Sequence, residues 1–190
     1  MFINKNKYFL LIETIKDIDL KNIKIRNKFS IIYRNKSKID NLKDLLSFRQ
    51  KCKLKSIKFF VANNFKLAIY LNSDGIYLSA YIKDLKFLNY KKSNFEIIGS
   101  AHNFKEIQFK IKQGCSSILL SKLFMVNYDK QAPFLGIVKF NNLSKFSKKI
   151  VPLGGIKNSN LNQLKNVFGE GFALLSEVKK KPAKIFSRLL

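Results

Sequence analysis

The stretch Ile150-Val151-Pro152-Leu153-Gly154-Gly155-Ile156 joins an apolar run to two adjacent glycines, and a helix-like stretch from Asn158 to Phe168 follows it. A short apolar run closed by turn residues reads as a strand covered on both faces. Consecutive glycines at its end let backbone N–H groups approach a phosphate without Cβ obstruction. The helix behind them would add its positive N-terminal end. The same pair also reads as a tight turn with no ligand, so its neighbours must decide.

Working outward, the same unit recurs. Apolar runs occur at Lys7–Glu13, Phe29–Arg34, Ser56–Ala62, Gly75–Tyr81, Phe95–Ala101, Ser116–Phe124, Ile150–Ile156 and Gly171–Val178. Helix signals lie between several of them. Ile39–Leu54 carries Leu42, Leu45, Leu46 and Phe48 on a helical period. Asn103-Phe104-Lys105-Glu106 places an N-cap residue three before a Glu, and Gly114 suits the position after that helix. Asn158–Phe168 is closed by Gly169, and Lys179–Leu190 reads as a last helix with Pro182 in its first turn. The connections Ile15–Lys28 and Ile82–Asn94 are weaker.

Eight strands alternating with helical segments imply βαβ units and a parallel sheet, and eight is the number that closes a barrel. An open doubly wound sheet would place a glycine-rich turn after its first strand; Glu13-Thr14-Ile15-Lys16-Asp17 contains no glycine. The expected fold is α/β, a single compact (β/α)₈ (TIM) barrel domain over residues 1–190 with short loops. The 190 residues fall just under the usual lower size of about 200 for this fold.

Net charge is +25, from 37 basic and 12 acidic residues, but only Arg26, Arg34, Arg49 and Arg188 are arginine. The lysines are spread along the chain, whereas nucleic-acid binders gather basic residues on one face or tail. A nucleic-acid partner therefore ranks last, and the charge is read as drawing phosphorylated small molecules towards a pocket. Two distant cysteines and one histidine cannot assemble a zinc site by themselves. No apolar stretch approaches the roughly 20 residues that span a bilayer. A cytoplasmic protein without a membrane partner is expected; the sequence does not give the oligomeric state.

In a parallel barrel the site lies where the strands end. Candidates are Arg34 and Lys36 after the second strand, two apart and so on one side, and Ser100 and His102, the only histidine, after the fifth. Gly154 and Gly155 follow the seventh strand; Leu175 and Ser176 close the eighth. Met125–Leu135, containing Lys130, reads as a long loop able to close over a ligand.

In this order the strand-end motifs resemble the thiamine phosphate synthase family, which includes the thiazole tautomerases. The resemblance rests on Ile98-Gly-Ser-Ala-His-Asn-Phe-Lys-Glu106, Leu123-Phe124 with Phe134-Leu135-Gly136, Pro152-Leu-Gly-Gly-Ile156 with Asn160, and Gly169-Glu-Gly-Phe-Ala-Leu-Leu-Ser-Glu177. Earlier matches are Tyr33-Arg-Asn-Lys36, Asn63-Asn64 with Leu67-Ala68, and Asp74-Gly-Ile-Tyr-Leu78. It implies coupling of a pyrimidine pyrophosphate to a thiazole phosphate, with release of pyrophosphate. It implies Arg34, Lys36, Asn63, Ser100 and Lys130 at the pyrophosphate, and Gly154, Gly155, Leu175 and Ser176 at the thiazole phosphate. His102, Ser100 and Lys130 would be the catalytic set.

The chain departs from the family where magnesium carboxylates are expected. The first falls on neutral Asn63; the second, in the family's Gly-Gln-Glu-Asp pattern, meets Ser79-Ala80-Tyr81-Ile82. Asp84 would supply a metal ligand only by shifting two residues, and Met125-Val126-Asn127-Tyr128-Asp129 replaces a threonine-rich loop. Mg²⁺ binding is thus expected to be weakened or lost. Two alternatives follow: a metal-independent, tautomerase-like enzyme using His102 as proton shuttle, and a non-catalytic barrel that binds a phosphorylated ligand.

Overall fold

A computed structural model of the chain describes residues 7–23, 25, 27–36, 39–86, 95–127, 129, 131–169, 171–175 and 178. Its strands are β1 (Lys7–Ile12), β2 (Phe29–Tyr33), β3 (Lys58–Ala62), β4 (Gly75–Leu78), β5 (Glu96–Ala101), β6 (Ser117–Ser121), β7 (Ile150–Leu153) and β8 (Gly171–Leu174). They pair in chain order and close, β8 returning to β1, with every pair parallel. The fold is the expected (β/α)₈ barrel.

The strands are short and apolar because each is buried twice. Side chains alternate across a strand. Tyr8, Leu10 and Ile12 of β1 join the layer under the helices, while Phe9 and Leu11 join the barrel interior. Ile32, Phe60, Tyr77, Ile98, Leu119, Val151, Leu153 and Ala173 complete that interior.

Four α-helices cover the described barrel: α1 (Leu42–Leu54), α2 (Phe65–Tyr70), α3 (Phe104–Lys112) and α4 (Gly136–Ser144). The capping signals hold. Asn103 accepts from the Glu106 amide at 2.9 Å, and Gly114 follows α3 in the left-handed region at φ 72°. Arg49 of α1 is buried; it donates to the Asn72 carbonyl and to the Asp74 carboxylate, each at 3.1 Å. Asp74 also accepts from the Phe59 amide at 2.7 Å, so one ion pair binds α1 to the start of β4 and to β3.

The first connection agrees with the sequence reading, and two elements differ from it. The weak first connection holds only the 3₁₀ turns Ile15–Asp17 and Leu20–Asn22. The segment after β7 is a 3₁₀ helix over Asn158–Asn166 rather than an α-helix, and Asn160 there turns its side chain onto local backbone. The run Ser116–Phe124 ends as a strand at Ser121. The last expected helix, Lys179–Leu190, lies outside the described residues.

Candidate active site at the barrel mouth

The turn after β7 is built against the loop after β6. Gly154 and Gly155 adopt φ of 96° and 68°, which side chains other than glycine's rarely adopt. A Cβ on Gly155 would lie 2.4 Å from the Phe124 oxygen, and one on Gly154 would lie 3.1 Å from the Lys122 Cα. The Leu123 amide donates to the Leu153 carbonyl at 2.9 Å and the Phe124 amide to the Gly154 carbonyl at 3.0 Å. Asn160 Nδ2 holds the Gly155 carbonyl at 2.8 Å.

The turn carbonyls are thus spoken for, and Gly154 continues the ladder towards Ala173 of β8, while the amides of Gly155 and Ile156 donate to no protein partner among the described residues. Free amides on a rigid turn are what an incoming phosphate oxygen requires. Leu175, half-buried, borders the barrel interior beside the turn. Ser176 and Lys130 lie outside the described residues. Lys157, which follows the turn, donates to Asn127 Oδ1 at 2.6 Å and so ties it to the loop after β6.

Across the barrel, Ser100 is buried at the end of β5, and Tyr77, buried as well, points inward from β4. Burial raises the Tyr77 phenol above its usual value, while the Ser100 hydroxyl and the Arg34 guanidinium pull it back. Arg34, just past β2, and Ser100 of β5 thus both act on the Tyr77 phenol of β4. Tyr77 is absent from the sequence-derived set. The signal was its place between Gly75 and Ser79 on the inward period of β4, masked by the apolar run around it.

Lys36 behaves differently from Arg34. Its ammonium pairs with Glu13 at 3.0 Å and stays exposed, so any anion must compete with that carboxylate. His102 is also exposed. Its Nδ1 lies 3.0 Å from Glu106, whose carboxylate also accepts from the His102 amide at 2.8 Å. Burial acts to raise the Glu106 carboxyl, but the hydrogen bonds from His102 and Asn103 outweigh it and hold the group below its usual value. This pairing fixes the ring and leaves Nε2 as the nitrogen able to meet a ligand.

The residues where magnesium is expected do not fit that ion. Asn63, at φ 57°, donates from Nδ2 to Ser79 Oγ at 2.8 Å and to the Tyr81 hydroxyl at 3.0 Å. Its Oδ1 accepts from the Ser79 amide at 2.9 Å. The side chain is consumed in a neutral tie between the loops after β3 and β4. The Asp84 carboxylate is engaged by Lys86, whose amide lies 2.9 Å and ammonium 2.6 Å away, and these contacts lower its pKa. No group of three His, Cys, Asp or Glu side chains suited to a metal occurs among the described residues.

Fold and mouth together define a parallel barrel with an amide-lined turn facing a cationic, hydroxyl-bearing cluster. The family model for thiamine monophosphate synthase matches residues 4–178. A thiamine-phosphate synthase of Prochlorococcus marinus strain AS9601 is 29% identical over 171 residues, covering 88% of this chain and 48% of its own length. Another, from strain CCMP1986 of subspecies pastoris, is 30% identical over 159 residues, covering 82% of this chain and 44% of its own. The chain spans about half the length of these relatives. In fold it is similar to a thiamine phosphate pyrophosphorylase of Pyrococcus furiosus, with a TM-score of 0.75, 17% identity and coverage of 98% and 94% of the two chains.

The chain belongs to the thiamine monophosphate synthase family.

Proposed function

We propose that this barrel is a thiamine-phosphate synthase of thiamine biosynthesis, joining hydroxymethylpyrimidine pyrophosphate to thiazole phosphate and releasing pyrophosphate. The observation that carries the reading is the pairing, in a member of this family, of an amide-bearing glycine turn with an Arg34–Tyr77–Ser100 cluster across the mouth. In this reading Gly154, Gly155, Leu175 and Ser176 hold the thiazole phosphate, with the Gly155 and Ile156 amides donating to it. Arg34 and Ser100 receive the pyrophosphate, with Lys36 and Lys130 as the further cations proposed for it, and Asn63 braces the loop beside that site.

The carbon–oxygen bond to pyrophosphate breaks with its electron pair on the leaving oxygen. The thiazole nitrogen then gives its lone pair to the pyrimidine methylene cation, forming the carbon–nitrogen bond. Arg34 and Ser100 contribute by meeting charge that grows on the leaving group, in a mouth already arranged for it. No step runs through a metal, since Asn63 carries no charge and Asp84 is engaged by Lys86. Both Prochlorococcus relatives carry the synthase name, which favours coupling over tautomerisation or ligand binding alone.

Phosphorylated small molecules are the proposed partners and the cytoplasm the proposed location; among the described residues no helix is long and apolar enough to cross a membrane. Substrate-dependent pyrophosphate release, measured with and without Mg²⁺, tests the proposal.

A further inference from the structure

Lys110 of α3 is wholly buried, although it occupies a face that packs on the barrel. Lysine is almost never found so deep unless its charge is met. Its stem reaches the interior beside Gly99 of β5. A Cβ on Gly99 would fall 2.7 Å from Lys110 Cδ and 2.8 Å from Cys115 Sγ. The ammonium emerges under the loop that follows β4. There it donates to the Ser79 carbonyl at 2.8 Å, the Ile82 carbonyl at 2.9 Å and Gln113 Oε1 at 2.8 Å.

An ammonium has three donors and no acceptor, and all three here have acceptors. A neutral amine would leave one of those oxygens facing a lone pair. Gln113 then spends Nε2 on the Ile82 carbonyl at 3.1 Å and the Asp84 carbonyl at 2.8 Å. Two side chains of α3 thus grip three carbonyls of one loop. That loop meets Asn63 through the Ser79 amide and hydroxyl and through the Tyr81 hydroxyl.

We infer that Lys110 is a positioning residue: its buried ammonium fixes the Ser79–Asp84 loop and, through Ser79, sets Asn63 and Tyr81 at the mouth. The functional consequence rests on the proposed pyrophosphate site; the positioning does not. Burial pulls the ammonium down to about 8, with Cys115 and Glu106 acting in the opposite direction, and Lys149 acting in turn on Cys115.

The test uses the full chain and hydrogen exchange of the amides in residues 79–84, beside binding of inorganic pyrophosphate. In Lys110→Met, which keeps the length and loses the charge, exchange in 79–84 is expected to rise at least ~10-fold, with β1 and β2 unchanged and pyrophosphate affinity lowered several-fold. In Lys110→Gln, whose amide offers two donors in place of three, exchange in 79–84 is expected to rise several-fold. That second measurement decides the matter if Lys110→Met fails to fold. Unchanged exchange in 79–84 in Lys110→Met, or in Lys110→Gln if the first variant does not fold, overturns the inference. If the unmodified protein does not bind pyrophosphate, the synthase reading fails while the exchange results still judge Lys110.

Discussion

Gly155 lies so close to Phe124 that a Cβ at position 155 would stand 2.4 Å from the Phe124 carbonyl oxygen. The glycine is therefore required twice, by that contact and by its φ of 68°. Gly155→Ala must rotate the turn or push away the loop after β6. The left-handed backbone alone costs about 1–2 kcal/mol, and the clash adds to it. Thermal denaturation should show a midpoint several degrees lower, and phosphate affinity should fall with it. An alanine variant with unchanged melting and phosphate binding would contradict this account of the turn.

Arg49 and Asp74 provide a stability prediction away from the mouth. Replacing Arg49 by Met leaves Asp74, itself about one-third exposed, without its cation. Breaking a buried pair typically costs about 3–5 kcal/mol, and the exposure of Asp74 reduces that to roughly 2–3 kcal/mol. Urea denaturation should show the loss with an unchanged slope.

Tyr77→Phe removes the buried hydroxyl on which Ser100 and Arg34 act. A neutral hydrogen bond contributes about 1 kcal/mol net. Pyrophosphate affinity should drop roughly five-fold while circular dichroism stays the same. Equal affinity for both proteins would remove Tyr77 from the site.

Lys110 sets a pH dependence whose sign is opposite to that of a salt-bridged lysine. Its pKa is lower folded, at about 8, than unfolded, at 10.5. Between those values the unfolded chain binds more protons, so stability from this group rises with pH across that window and is level below it. Comparing the unmodified protein with Lys110→Met at pH 7.5 and pH 10 cancels the other lysines. The unmodified protein should gain up to about 2 kcal/mol relative to the variant. A relative loss at high pH would mean that the ammonium is stabilised, not strained, by its burial.

The barrel was legible because each strand is buried on both faces and so reads as an apolar run. Strand ends were less legible where apolar residues continue past the ladder. Leu123 and Phe124 look like more of β6, yet their amides turn to Leu153 and Gly154 and form the support of the glycine turn. The helix α4 escaped notice because Leu135 supplies no side-chain cap. At the mouth, Arg34, Ser100 and the two glycines stood out as polar or turn residues at strand ends. Tyr77 and Lys110 did not, because each sits among apolar neighbours and acquires its role only when β4, β5 and α3 come together. Lys36 was visible, but its engagement with Glu13 depends on β1 and β2 ending side by side.

The most direct test of the central claim is pyrophosphate release on mixing hydroxymethylpyrimidine pyrophosphate with thiazole phosphate, followed with Mg²⁺ and with a chelator, beside a Gly155→Asp control. A synthase predicts release that needs both substrates, matches thiamine phosphate formed one for one, and is lost in the control. No release above the control under either metal condition would contradict it.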